Sequence, residues 1–179
     1  MNDTLSLAVH NALCACFGLS PNSDDALAFV RQAYTEPENT PMPARSADVL
    51  YWSVSPVSGA SVESGEASET ASGTHKPTVH RFLPYQLLII CYGPNCEGNV
   101  SKIRSLLFID GSGFPLSILR KAGIYPVPNP PSPQLLFEPE GSLWRRRADL
   151  IVEMNIADSL TAAASRGAIQ STPVVIIRR

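Results

Sequence analysis

Charge is scarce in this chain. Lys and Arg number 14 against 16 Asp and Glu, charged residues make up 17% of 179 positions, and the formal net charge is −2. Ordinary globular chains carry roughly a quarter of charged residues. The near balance excludes the strongly basic footprint of a dedicated nucleic-acid binder. Low charge fits a subunit that hides surface against partners or covers it with Ser, Thr and Pro. Long apolar runs are missing as well. None reaches the ~18 residues of a membrane span, and Met1-Asn2-Asp3-Thr4 lacks the basic opening of a secretory signal. The expectation is a chain made in the cytoplasm, with no membrane partner.

The signatures of chemistry are also missing. There is no phosphate-binding loop, and Gly111-Ser112-Gly113 lacks the third glycine and preceding strand of a dinucleotide fingerprint, which makes it a turn. No G-x-S-x-G elbow exists to present a nucleophile. His10 falls on a predicted helix, His75 in a loop and His80 in a hairpin strand, so nothing brings a catalytic triad together. Cys14, Cys16, Cys91 and Cys96 lack a histidine at finger spacing and read as small core hydrophobes kept reduced, not as a zinc set. The acid pairs Glu36-Pro37-Glu38 and Glu138-Pro139-Glu140 sit in proline-rich connections and read as solvated charge. No catalytic residue, metal or cofactor is expected, and an enzyme is disfavoured because catalysis needs rigid, converging groups.

Proline, by contrast, is abundant: 16 residues, nearly twice the ~5% norm. Leu5, Val9, Ala12, Leu13, Cys16 and Phe17 recur at helical spacing, with Gly18 as the stop. Ser23 caps a second helix carrying Ala26, Leu27, Val30 and Tyr34, with Asp24 and Asp25 in its first turn. Asp48 to Val54 is β-branched and aromatic, hence a strand. In residues 55–77, eleven of 23 are Ser, Gly or Thr, too few large apolars to offset ordering entropy, which predicts a long mobile hairpin loop. Thr78 to Leu83 resumes as a strand, and Tyr85 to Tyr92, apolar on both faces, belongs at the centre of a sheet. Asn95 opens a helix with the stripe Val100, Ile103, Leu106 and Leu107, and Pro115 to Lys121 forms a short helix closed by Gly123. Residues 124–141, six of them proline, form an extended strap with Leu135-Leu136-Phe137 as its strand. The fold class is α+β, a mostly antiparallel sheet packed against two or three helices, with one domain over residues 1–157 and a C-terminal arm over 158–179.

From Trp144 to Ala157 the pattern alternates strictly. Trp144, Ala148, Leu150, Val152, Met154 and Ile156 form the core face of a strand, while Arg145, Arg147, Asp149, Glu153 and Asn155 face solvent or a partner. Alternation splits Arg145-Arg146-Arg147 between two faces, which weakens a phosphate-binding patch, and Asp149 and Glu153 on the same face make ion pairs plausible. Trp144, Arg145, Arg147, Asp149 and Glu153 are therefore candidate interface residues, ahead of DNA contacts. Val174, Val175, Ile176 and Ile177, near the end of the sequence, form a strand that either completes the parent sheet or adds to a neighbour's.

The order of these elements resembles the neck or tail terminator proteins of long-tailed bacteriophages and prophages. The resemblance runs over about residues 5 to 157. It rests on the Asp48-Val49-Leu50-Tyr51-Trp52-Ser53 strand, the return Pro84-Tyr85-Gln86-Leu87-Leu88-Ile89-Ile90-Cys91-Tyr92-Gly93-Pro94, and Trp144-Arg145-Arg146-Arg147-Ala148-Asp149-Leu150. It implies a structural virion protein: a ring, commonly of six subunits, at the head–tail junction. Such a ring caps the tail tube, joins it to the head connector or stopper, and lets genome DNA through without sequence-specific binding. A head-side adaptor or a minor tail subunit is the structural alternative. No catalytic residue is carried over.

Overall fold

A computed structural model describes residues 3–33, 43–57, 62–69, 75–109 and 113–161. Helix α1 spans Asp3–Cys16, α2 Asp24–Phe29, α3 Cys96–Phe108 and α4 Phe114–Lys121. The strands are β1 Val30–Gln32, β2 Val49–Pro56, β3 Val62–Glu69, β4 His75–Tyr92, β5 Ile124–Pro126, β6 Gln134–Glu140 and β7 Leu143–Thr161. All seven form one sheet in the order β1-β2-β4-β7-β5, with β3 added to β4 and β6 to β7. Only β1 runs parallel to its neighbour; the other pairings are antiparallel. The fold class is α+β.

Strand alternation builds the core row by row. Trp52, Ile89 and Leu150 lie side by side across β2, β4 and β7, as do Val54, Leu87 and Val152. These side chains are buried together with Val9 and Leu13 of α1, Ile103 of α3 and Leu119 of α4. The helices thus cover one face of the sheet. All four cysteines are free thiols within this core.

The local signals work where a backbone requirement is sharp. Gly18 ends α1 at φ 70°, and Ser23 caps α2 by accepting a hydrogen bond from the Ala26 amide at 3.2 Å. Gly93 takes φ 110°, and a Cβ there would collide with Asp48 and come within 2.7 Å of the Ala47 carbonyl. The Asp48 carboxylate instead receives the Asn95 amide at 2.9 Å and its Nδ2 at 2.8 Å, so α3 starts against β2 and not on a side-chain cap of its own.

Four expectations are corrected. Residues 55–77 are not one loop: β2 runs to Pro56, β3 occupies Val62–Glu69, and β4 starts at His75. Backbone ladders need no apolar side chains, and β4, held by β7 on its other side, offers β3 a template. The strands expected on either side of Pro84 are one strand. The Pro84 carbonyl accepts from the Val57 amide on the β2 side of β4. The missing N–H points the same way, into the gap where β2 gives way to β3, so proline breaks no ladder bond. The second helix stops at Phe29, and Val30 begins a strand beside Leu50. Finally, the strand expected over Trp144 to Ala157 runs from Leu143 to Thr161. The rest of the expected arm, residues 162–179, lies outside the described residues.

Candidate assembly surfaces

The β6–β7 hairpin closes through a two-residue turn in which Gly141 takes φ 65°, pairing Glu140 with Leu143. Among the described residues β6 pairs with β7 alone and forms an edge of the sheet. On the helix-side face of this hairpin stand Leu135, Phe137 and Pro139, opposite Ala148, Arg146 and Trp144. Ala148 is buried, whereas Trp144 is 68% and Phe137 58% exposed. Trp144 was expected on the core face, and its direction is right; the core cluster begins only at Ala148, leaving the indole uncovered. Leu143 beside it is exposed too. Exposed aromatic and aliphatic groups on a short edge hairpin mark a contact surface.

The opposite face of the same hairpin holds a polar cluster. Arg145 is only 3% exposed, lies 4.7 Å from the Tyr92 ring centroid, and donates to the Pro43 carbonyl at 3.0 Å. Arg147 holds Asp149 with two parallel bonds of 2.7 Å, and Tyr92 donates its hydroxyl to Glu138 at 2.8 Å. Arg45 binds both the carboxylate and the carbonyl of Glu140, at 2.9 and 2.7 Å. Burial and the bond to Glu138 push the Tyr92 hydroxyl up to about 12. The bonds from Asp149 drive the Arg147 pKa above its ordinary value.

The residues expected as an outward interface thus divide. Arg145, Arg147 and Asp149 bond within the subunit, Arg145 and Asp149 being buried and not solvent-facing as expected, because residues 43–45 and β6 cover their end of the sheet. Trp144 and Glu153 stay exposed. Val174, Val175, Ile176 and Ile177 lie outside the described residues. Glu138 and Glu140, expected as solvated loop charge, sit on β6 and close the cluster. Nothing in the composition of a proline strap signals that pairing; the contacts come from residues about 45 and 95 positions away in the chain.

Two grooves open elsewhere on the helical side. One, about 370 Å³, lies between α1, α2 and β1 and is lined by Leu7, His10, Leu27, Val30, Arg31 and Trp52. Leu7 and Leu27 are 59% and 58% exposed, and Trp52, at 2%, forms the floor. Its Nε1 has no hydrogen-bond acceptor among the described residues. Leu27, expected in the apolar stripe of its helix, points outward because that helix is a turn and a half long and buries only Ala26. The other groove, about 530 Å³, lies between the end of α1 and α4, beside the exposed Phe114.

Neither groove gathers converging catalytic groups. The ring of His10 is tied to the Pro21 carbonyl at 3.2 Å and to Cys14 at 3.5 Å. Among the described residues no three His, Cys, Asp or Glu side chains are grouped to hold a metal ion, and no helix is long and apolar enough to cross a membrane. Burial pushes the Cys16 and Cys91 thiols up to about 12, away from reactive thiolates. What the geometry offers is surface: an edge hairpin tipped with aromatics, and apolar grooves between helices.

Comparison with curated proteins finds no match. A family model described as phage neck terminator protein matches residues 3–177. With nearly the whole sequence matched, the chain belongs to the phage neck terminator protein family.

Proposed function

We propose that this structural neck protein is the repeating subunit of a ring, six-fold in order, that caps the tail tube and joins it to the head connector or stopper. Genome DNA passes through its opening, and the subunit works in the virion at the head–tail junction. Family membership carries this reading. Two features support it. A closed ring needs a heterologous contact, in which two different patches of one subunit meet, and the sheet has dissimilar ends: an aromatic hairpin at β6 and a groove beside β1. A net charge of −2 also suits an opening that DNA must cross without being gripped. No residue is assigned a catalytic step.

Cryo-electron microscopy of the particle tests the proposal directly. A closed circle of these subunits between capsid and tail tube is expected. Density for the chain on the capsid side of the connector, or along the tail, would make it an adaptor or a minor tail subunit instead.

A further inference from the structure

We infer that the β6–β7 hairpin of one subunit seats in the α1–α2–β1 groove of a second copy of this chain. The inference deepens the ring reading and rests on it.

Both surfaces are incomplete as they stand. The hairpin exposes Phe137 and Trp144 on one face, with none of the described residues covering them. The groove exposes Leu7 and Leu27 over an apolar floor formed by Trp52 and Val30. An incoming hairpin lays its exposed aromatic side chains on those leucines, so that each surface covers the other.

Charge matches across the same contact. Arg146 lies two residues from Trp144 on one face of β7, 46% exposed, with a loose 3.6 Å pair to Glu97. Asp24 lies three residues before Leu27, one helical turn away, and both Asp24 and Asp25 are exposed. An aromatic with an arginine beside it meets a leucine with an aspartate beside it. Arg31, the cation at the groove, is turned back to the Ala28 carbonyl at 3.0 Å. The groove lies at the β1 end of the sheet and the hairpin at the β7 end, where β6 pairs β7, so the contact can repeat head to tail from one copy to the next.

Cysteine pairing in virions reads the contact. Phage carrying Leu27→Cys with Trp144→Cys in the full chain is purified, oxidised and run without reductant. A ladder of chain multiples from the double variant, absent from either single variant, is expected; the native cysteines are buried and do not contribute. In parallel, Arg146→Asp should lower infectious particle yield at least tenfold, and Asp24→Arg in the same chain should restore it. Both positions are exposed, so thermal unfolding of the purified variants should match the parent and separate assembly from folding. A particle that shows the ring yet gives no ladder, with Arg146→Asp assembling normally, overturns this contact and leaves the ring standing. Particles with no ring overturn both.

Discussion

At the scale of single residues, the cluster around Tyr92 separates charge that stabilises from charge that is merely accommodated. Arg145 is buried with one hydrogen bond and a 3.9 Å pair to Glu140, and its Nε and Nη1 lack hydrogen-bond partners. A buried ion so poorly satisfied gives little back for its desolvation, and an apolar residue of similar length replaces it at small cost. Arg145→Met should therefore leave stability within about 1 kcal/mol of the parent. Asp149→Ala differs, since it strips two charge-assisted bonds from Arg147 and leaves that cation only its 3.7 Å pair to Glu138; a loss of about 2 kcal/mol is expected. Urea titrations of the two variants measure the contrast, and equal losses would refute it. The same cluster sets an alkaline limit. Tyr92 holds its proton up to about 12 in the folded state, and burial holds Cys16 and Cys91 to about 12 as well. Unfolded, these groups ionise at roughly 8.5 to 10. Folded pKa values above unfolded ones mean stability that is whole below about pH 8.5 and drains as pH rises toward 12. Urea midpoints measured from pH 8 to 11 should fall, and Tyr92→Phe should flatten part of the decline.

At the scale of elements, the sequence speaks clearly wherever a side-chain pattern is itself the cause of structure. The alternation from Ala148 to Met154, the stripe Val100–Ile103–Leu107 and the residues Leu87, Ile89 and Cys91 of the β4 run all fill one core, and each was legible, while Leu88 and Ile90 of that run lie on the other face of the sheet. Where backbone pairing decides, composition misleads. Strand β3, rich in Ser, Gly and Glu, exists because β4 presents a ladder to it, and β6 forms from a proline strap because β7 does the same. Burial from distant chain is equally silent: no local pattern announces that Pro43 and Arg45 cover Arg145 and Glu140. The β3 region allows a test. Strands β4 and β7 are 18 and 19 residues long, about 60 Å when extended. The core cluster ends at Tyr85 and Ile156, so the far half of the ladder stabilises little beyond itself. Replacing residues 58–83 with a two-residue glycine-containing turn joins Val57 to Pro84, which are already hydrogen-bonded at 3.0 Å. The variant should fold cooperatively, with a melting temperature only a few degrees lower. Loss of the cooperative transition would show that the ladder belongs to the folding unit.

At the scale of the whole molecule, three consecutive arginines raise the question of whether the chain binds DNA. Local geometry and the overall charge give the same answer. Arg147 is neutralised by Asp149, with Glu138 nearby; Arg145 is buried near Glu140; only Arg146 is well exposed, beside Glu97. Around the hairpin, arginines 45, 145, 146 and 147 meet acids 97, 138, 140 and 149, so the cluster carries no net charge. DNA affinity rises with the number of phosphates neutralised and falls steeply with salt; a hairpin whose arginines are matched by acids, in a chain of net charge −2, has little to release counterions with. Fluorescence anisotropy with a labelled duplex should show no saturable binding by the purified chain at 50 mM salt in the micromolar range, and Arg146→Ala should change nothing. Binding that weakens steeply between 50 and 200 mM salt, with lower affinity and a shallower salt dependence after Arg146→Ala, would place the arginine run on phosphate and make the chain a DNA-gripping one.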